Sequence, residues 1–236
     1  MRFRGIRVLS LDAMKTIVRL RETPGVVYAR TAADCGIEAN PEEVMSRFLK
    51  SFKNLEKTKP AYDFTGKGAK SWWSQVVSES LGFEAETRDV RVIQAQRRLF
   101  DFYATADAWK FVDDEILSQL LRLWEQNIHI VVASNFDFRL RRILSELRIA
   151  PLVGEFFLSG EIGLQKPDPA FFTHLLLKLH LSHSPESLVH VGDDLQKDFN
   201  APRALGINAV LLSTQAEPLA PSLASSIRSL NDLLFE

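Results

Sequence analysis

The chain carries a single cysteine, Cys35, in 236 residues. That excludes an internal disulfide framework and leaves no set of thiolates for a structural zinc. A reducing compartment and a cytoplasmic location are therefore expected, with Cys35 as a small apolar filler. No apolar run reaches the roughly 18 residues a membrane span needs. Met1-Arg2-Phe3-Arg4 runs directly into a strand too short and too early for a secretory signal, so no membrane is expected as a partner. Charge of one sign is also lacking: 29 Lys and Arg stand against 30 Asp and Glu, a formal net charge of -1. With basic residues scattered, nothing gathers nucleic acid, and an anionic ligand must be met by a local site. Internal repeats and low-complexity segments are absent. The stretch from Ser213 to Ser226 reads as a loop before a final short helix.

What is present is ordinary for a globular protein, 46% hydrophobic and 25% charged, with length for one large domain and an inserted smaller one. Ile6 to Leu11 is apolar and ends at Asp12, the pattern of a strand buried on both faces. Comparable runs return at Ile128–Ala133, Phe156–Leu158, Leu188–Val191 and Asn208–Leu212. Helical periodicity fills Asp114–Gln126, Phe138–Leu147, Ala170–Leu179 and Asp198–Leu205. Such alternation predicts an α/β fold, a three-layer, Rossmann-like parallel sheet with helices on both faces. The long stretch after the first strand has few strand signals, and helical periods at Gly25–Cys35, Pro41–Phe52, Ser71–Leu81 and Asp89–Tyr103. It reads as an inserted helical cap, residues 19–110, on a core formed by residues 1–18 and 111–236.

Ligands of an open parallel sheet gather outside the carboxyl ends of its strands. Four such ends carry chemistry here: Asp12, Met14 and Thr16; Ser134-Asn135-Phe136-Asp137; Lys166-Pro167-Asp168-Pro169; and Gly192-Asp193-Asp194 with Asp198. Taken singly, Asp12 could be a turn former or helix cap, Ser134-Asn135 and Asp168 could cap helices, and Asp193 and Asp194 could be solvated turn acids. Independent turn residues, however, have no reason to supply a nucleophile, a donor, a cation and an acid cluster in register.

The four blocks, in that order and spacing, resemble the four motifs of the haloacid dehalogenase-like hydrolases. The resemblance covers essentially the whole chain, with the helical insert where that family carries a cap of its first type. It implies that Asp12 is a nucleophile forming an aspartyl-phosphate, and that Ser134, Asn135 and Lys166 hold the phosphoryl group. It implies Mg2+ as cofactor, held by Asp12, the backbone carbonyl of Met14 and Asp193. Thr16 would anchor the turn after the nucleophile, Asp198 would support the metal shell, and Asp194 competes for that place. The implied ligand is a small phosphorylated molecule; oligomeric state has no signature in the sequence.

One residue departs from that family's phosphatase pattern. Two positions after the nucleophile, where an aspartate moves the proton, stands Met14, whose thioether has none to move. General acid/base help is worth about 100- to 10,000-fold, so a phosphatase of low or specialised activity is expected, with activated leaving groups suffering least. Lys15 is expected to point elsewhere. Two further readings are a non-catalytic phosphate- or partner-binding protein and a 2-haloacid dehalogenase. The dehalogenase reading sits poorly with the acid-rich fourth motif. Tyr28, Trp72, Trp73 and Arg98 are the insert residues to test against substrate. Of the two tryptophans, one is expected in the insert's core and one at its edge. His129 and His190 read as satisfied core histidines, Arg139, Arg141 and Arg142 as a solvated helix face, and Asp137 has no evident task.

Overall fold

A strand covered on both faces has no need to alternate apolar with polar residues, and all four residues of Val8–Leu11 are buried. In the computed structural model, which describes residues 1–213 and 226–235, this segment is β2. It follows β1 (Arg2–Phe3) and precedes β3 (Val18–Leu20), β4 (Trp109–Phe111), β5 (His129–Ser134) and β6 (Glu155–Leu158). After these come β7 (Leu188–Gly192), β8 (Asn208–Leu212), β9 (Ser226–Ile227) and β10 (Leu234–Phe235). The central sheet runs β6-β5-β2-β7-β8-β9, and every pairing in it is parallel. The expected α/β architecture is present. The C-terminal ends of β2, β5 and β7 therefore emerge side by side at one edge.

The helices are α1 (Pro24–Ala33), α2 (Pro41–Thr58), α3 (Pro60–Asp63), α4 (Gly68–Ser80), α5 (Val90–Phe102), α6 (Ile116–Glu125) and α7 (Arg139–Glu146). They continue with α8 (Ser159–Ile162), α9 (Pro169–Lys178) and α10 (Ala201–Arg203). Successive strand residues face opposite sides. Leu9, Leu11, Ile130 and Val132 pack with Leu120, Leu123 and Ile143 of α6 and α7. Val8, Val131 and Ala133 pack on the other face with Phe171, Phe172 and Leu175 of α9. These are the three layers.

The insert rises from an antiparallel pair absent from the expectations: Val18 lies opposite Phe111 and Leu20 opposite Trp109. Pairs this short give little periodic signal. Between them, Val27, Ala32, Val44, Val77, Val92 and Leu99 form a core of their own. A second cluster gathers Leu55, Trp72 and Val76 with Phe48, Phe52, Tyr62 and Trp73. Asn40 caps α2 by accepting from the Glu42 and Glu43 amides, and the helix runs on to Thr58. The expected helix from Asp198 begins earlier, as a π turn over Leu195–Asn200. The side chain of Asp194 caps it, and a π turn is a frequent device for re-aiming a side chain at a functional site.

The loop expected after Ser213 lies, apart from its first and last residues, outside the described residues. The final helix is a single 3-10 turn at Leu230–Asp232. Among the described residues no helix is long and apolar enough to cross a membrane.

Candidate active site

Asp12 follows the last residue of β2, and its amide donates to the Val191 carbonyl at 2.9 Å, so the neighbouring strand fixes where the carboxylate starts. Lys166 Nζ donates to Asp12 Oδ1 at 2.8 Å, to Asp198 Oδ1 at 2.5 Å and to the Ala133 carbonyl at 2.9 Å. All three side chains are buried. Asp198 Oδ1 also meets His190 Nε2 at 3.1 Å, while His190 Nδ1 meets Ser10 Oγ at 2.9 Å. His190 is thus the satisfied buried histidine expected, and it ties the floor of the site to the sheet. Gly192 makes room for this arrangement, because a Cβ there would lie 2.3 Å from Asp198 Cγ.

Burial raises the Asp12 pKa, Lys166 opposes the rise, and Asp198 adds to it. For Lys166, burial works against the charge, but Asp12 and Asp198 outweigh it and its pKa is raised. The carboxyl of Asp198 is also penalised by burial, yet Lys166 and His190 hold its pKa below the ordinary value. Burial pushes Asp193 up to about 6, with Asp12 adding to the rise and Lys15 opposing it. Carboxylate oxygens of Asp12, Asp193 and Asp198 lie within 4.8 Å of one another. One buried ammonium cannot balance three carboxylates. This hard-oxygen, under-neutralised set fits a divalent cation such as Mg2+. Asp198 already accepts from Lys166 and His190 on Oδ1 and from the Asp194 amide on Oδ2 at 3.1 Å, so Asp12 and Asp193 are the better-placed direct ligands.

Two buried hydroxyls, Ser134 Oγ and Thr16 Oγ1, make no hydrogen bond of ordinary geometry, although Ser134 stands close enough to Asp12 to help hold its pKa down. Ser134 ends β5 beside Asp12, where an orphaned donor suits a ligand's oxygen. The turn after the nucleophile is anchored by the backbone rather than by Thr16's side chain. The amides of Thr16, Ile17 and Val18 all donate to the Ala13 carbonyl.

Several expectations need correcting. Asn135 clamps the lysine loop instead of presenting its side chain to an anion: Nδ2 donates to the Lys166 carbonyl at 2.7 Å, and Oδ1 accepts from the Lys166 amide at 2.8 Å. Lys15 turns back to within 3.8 Å of Asp193 Oδ2, because its backbone is left-handed with φ 58°. Asp194 caps the π turn, accepting from the Gln196 and Lys197 amides, and is not in the acid cluster.

His129 is exposed at the start of β5, 3.8 Å from Glu155, far down the strand from the site. Arg139 is only 5% exposed and grips Asp137 through Nε at 2.9 Å and a terminal nitrogen at 2.7 Å. Arg141 and Arg142 do lie outside, paired with Glu161 and Glu146. Asp137 has a task after all: it accepts from Trp73 Nε1 at 2.7 Å, joining core to insert.

Above the carboxylates lies a cavity of about 600 Å³. Its floor includes Asp12, Met14, Lys15, Ser134, Lys166 and Asp193, and its roof Phe48, Phe52, Tyr62, Trp72, Trp73 and Tyr103. Tyr28 lines it while almost wholly buried; Arg98 is exposed and takes no part. As expected, Trp72 sits in the insert's core and Trp73 at its edge. Tyr62, unmarked by any sequence signal, reaches over the site and donates to the Asn135 carbonyl at 2.9 Å. It sits on a left-handed stretch, Ala61, Tyr62 and Asp63 having φ of 48°, 59° and 58°, which no helical period announces.

A parallel sheet with a helical insert over its carboxyl edge, a buried Asp–Lys pair and an adjoining acid cluster define a capped, Rossmann-like α/β fold with its polar site at the strand ends. The chain belongs to the haloacid dehalogenase-like hydrolases, whose family model matches residues 8–206. It is 28% identical over 226 residues to haloacid dehalogenase-like hydrolase domain-containing protein 3 of Bos taurus, covering 94% of this chain and 87% of that one. The fold resembles the HAD-hydrolase YfnB of Bacillus subtilis, solved bound to magnesium, with TM-score 0.67, 18% identity and 98% and 97% of the two chains covered. It equally resembles a dehalogenase solved as an intermediate complex, with TM-score 0.68, 16% identity and 97% and 96% covered.

Proposed function

We propose that this chain is a Mg2+-dependent phosphatase-like hydrolase acting through an aspartyl-phosphate on Asp12, with low or specialised activity because Met14 replaces the proton-transfer residue. The observation that carries this reading is Asp12, bonded to Lys166 at 2.8 Å, beside the unpartnered hydroxyl of Ser134 and the acid cluster with Asp193. A small phosphorylated molecule would enter with its phosphoryl group on this floor.

Lys166 occupies Asp12 Oδ1, so the other carboxylate oxygen is the one to attack phosphorus. A P–O bond forms to Asp12, and the ester P–O bond breaks with its electron pair leaving on the departing oxygen. Water then attacks the same phosphorus, releases inorganic phosphate and restores the carboxylate. Ser134 Oγ donates to a phosphoryl oxygen as charge builds there, and Lys166 balances the charge spread over Asp12 and the phosphoryl group. Asp12, the backbone carbonyl of Met14 and Asp193 would hold Mg2+, which would neutralise phosphoryl charge when bound. Met14 gives neither the leaving oxygen nor the water a proton partner.

Met14 is also the observation that favours the second reading, a non-catalytic phosphate- or partner-binding protein. A dehalogenase, which releases halide without a metal, has no use for Asp193 beside an anionic nucleophile. Turnover of a phosphate panel with Mg2+ decides between them. Wild type should hydrolyse at least one ester and trap a phosphorylated Asp12 on acid quench, and Asp12→Asn should lose about 1,000-fold or more. Turnover that survives Asp12→Asn would sink the phosphatase reading. Metal-dependent stabilisation without any turnover would establish the binding protein.

A further inference from the structure

We infer that the cavity is built for an aryl phosphate: a monoester whose leaving group is a phenol-type alcohol carrying no second charge. This rests on the phosphatase reading and names its substrate class.

The roof is a continuous aromatic wall. Phe48 and Phe52 stand 5.8 Å apart at 30°, Phe52 and Trp73 5.9 Å apart at 48°, and Trp73 and Tyr62 6.1 Å apart at 29°. Offset packing of this kind accepts a further ring readily. The wall also has little polarity to offer. Tyr62 Oη is spent on the Asn135 carbonyl, Trp73 Nε1 on Asp137 and Trp72 Nε1 on the Lys59 carbonyl. A sugar's hydroxyls would find few partners there and would lose water without replacement. The hydroxyl of Tyr103, buried and unpartnered, leaves a place for one neutral polar substituent.

Charge points the same way. The enclosed cations lining the cavity are already engaged by carboxylates: Lys166 by Asp12 and Asp198, Arg139 by Asp137, and Lys197 by Glu56 at 3.0 Å, while Lys15, 3.8 Å from Asp193, is mostly exposed to solvent. A substrate bearing a carboxylate or a second phosphate would have to break one of these pairs. A neutral ring breaks none.

Met14 supplies an independent chemical reason. When Asp12 attacks phosphorus and the ester bond breaks, the electron pair leaves on oxygen, and no side chain at position 14 delivers a proton to it. A phenol ionises near pH 10, as tyrosine does, whereas an alkanol ionises near the value of water, about 16. The phenolate departs unaided and takes its proton from solvent afterwards; the alkoxide needs help this site lacks. A roof that selects rings and a floor that tolerates only good leaving groups select the same molecule.

The test is kcat/KM with Mg2+ for phenyl and 1-naphthyl phosphate against propyl phosphate and phosphoglycolate. The aryl esters should lead by about 100-fold or more, and Met14→Asp should shrink the lead to about tenfold or less by serving the alkyl ester. Alkyl or carboxylate-bearing esters turned over as fast as aryl esters would overturn the inference. Binding separates it from the phosphatase reading, since it needs no turnover. Phenylphosphonate, followed by tryptophan fluorescence, should bind at least about tenfold more tightly than phosphonoacetate. Phe52→Ala should reduce that preference. Leu49→Ala should reduce it too, at a cavity residue 56% exposed and so dispensable for folding. If no phosphate is turned over but the aryl preference in binding stands, the phosphatase reading alone falls. Equal affinities, or tighter phosphonoacetate, would overturn the aryl site whatever the catalysis.

Discussion

The floor of the cavity and its roof are held together by opposite physics. Below, polar and charged groups meet: Ser10, His190, Asp198, Lys166 and Asp12 form one buried run of bonds between 2.5 and 3.1 Å long. Above, ring meets ring, with Trp72 and Trp73 4.9 Å apart and Phe52 edge-on to Trp72 at 5.4 Å. The two regions touch through a few polar bonds. Tyr62 reaches Asn135, the Ala61 amide donates to Gln165 Oε1 at 2.8 Å, Trp73 reaches Asp137, and Lys197 pairs with Glu56. The floor is therefore fixed by directional bonds between its polar groups, and the roof by ring contacts that need no polar partner.

The largest effect should come from removing the cation on which the floor depends. Lys166→Met leaves Asp12 and Asp198 buried together without their shared partner, and stripping one member from such a pair costs about 3–5 kcal/mol. Urea unfolding should report a loss of that order, and adding Asp198→Asn should recover part of it in a double-mutant cycle. A loss below about 1 kcal/mol, with no recovery in the double variant, would mean that the floor is not one coupled unit.

A smaller effect is expected at the seam. Trp73→Phe keeps the ring but deletes the N–H that Asp137 accepts at 2.7 Å; Arg139 remains to hold Asp137. A hydrogen bond to a charged group contributes about 1.5–3 kcal/mol, and the unfolding midpoint should fall accordingly. Stabilisation of the variant by Mg2+ should equal that of wild type. An altered metal response would break the separation of roof from floor.

The floor is legible in the sequence because its chemistry is local there. Asp12, Ser134 and Asp193 each follow a buried apolar run within two residues, and parallel strands bring such positions to one edge whatever lies between. Sequence pattern is silent where a tertiary partner decides the outcome. Arg139 looks like a surface arginine until Asp137, Trp73 and Phe100 enclose it, its guanidinium 5.0 and 4.3 Å from the two ring centres. Asn135 looks like an anion donor until the Lys166 backbone takes both ends of its amide. Tyr62 was invisible because a left-handed turn has no period. Roof residues come from helix faces whose orientation one sequence does not specify, so pattern alone does not separate Arg98 from Trp73, of which only Trp73 faces the cavity.

The smallest effect should have the opposite sign, an increase in stability. Asp193 has its pKa raised from 3.8 to about 6, by burial first and by Asp12 second. A group whose folded pKa exceeds its unfolded one binds its proton more tightly when folded. Its contribution is complete below about pH 4 and is lost as pH rises through about 6. Above that range the wild-type fold bears an extra charge beside Asp12, and Asp193→Asn does not. Each pKa unit corresponds to about 1.4 kcal/mol, and because Asp193 is partly exposed the gain is discounted to about 1 kcal/mol. In chelator at pH 8, Asp193→Asn should therefore unfold at a higher temperature than wild type, and the difference should vanish near pH 4. With Mg2+ the order should reverse, because wild type gains a ligand that the variant binds poorly. A variant no more stable than wild type at pH 8 in chelator would show that the acid cluster carries no unbalanced charge, and with it the physical reason for a cation at this floor would go.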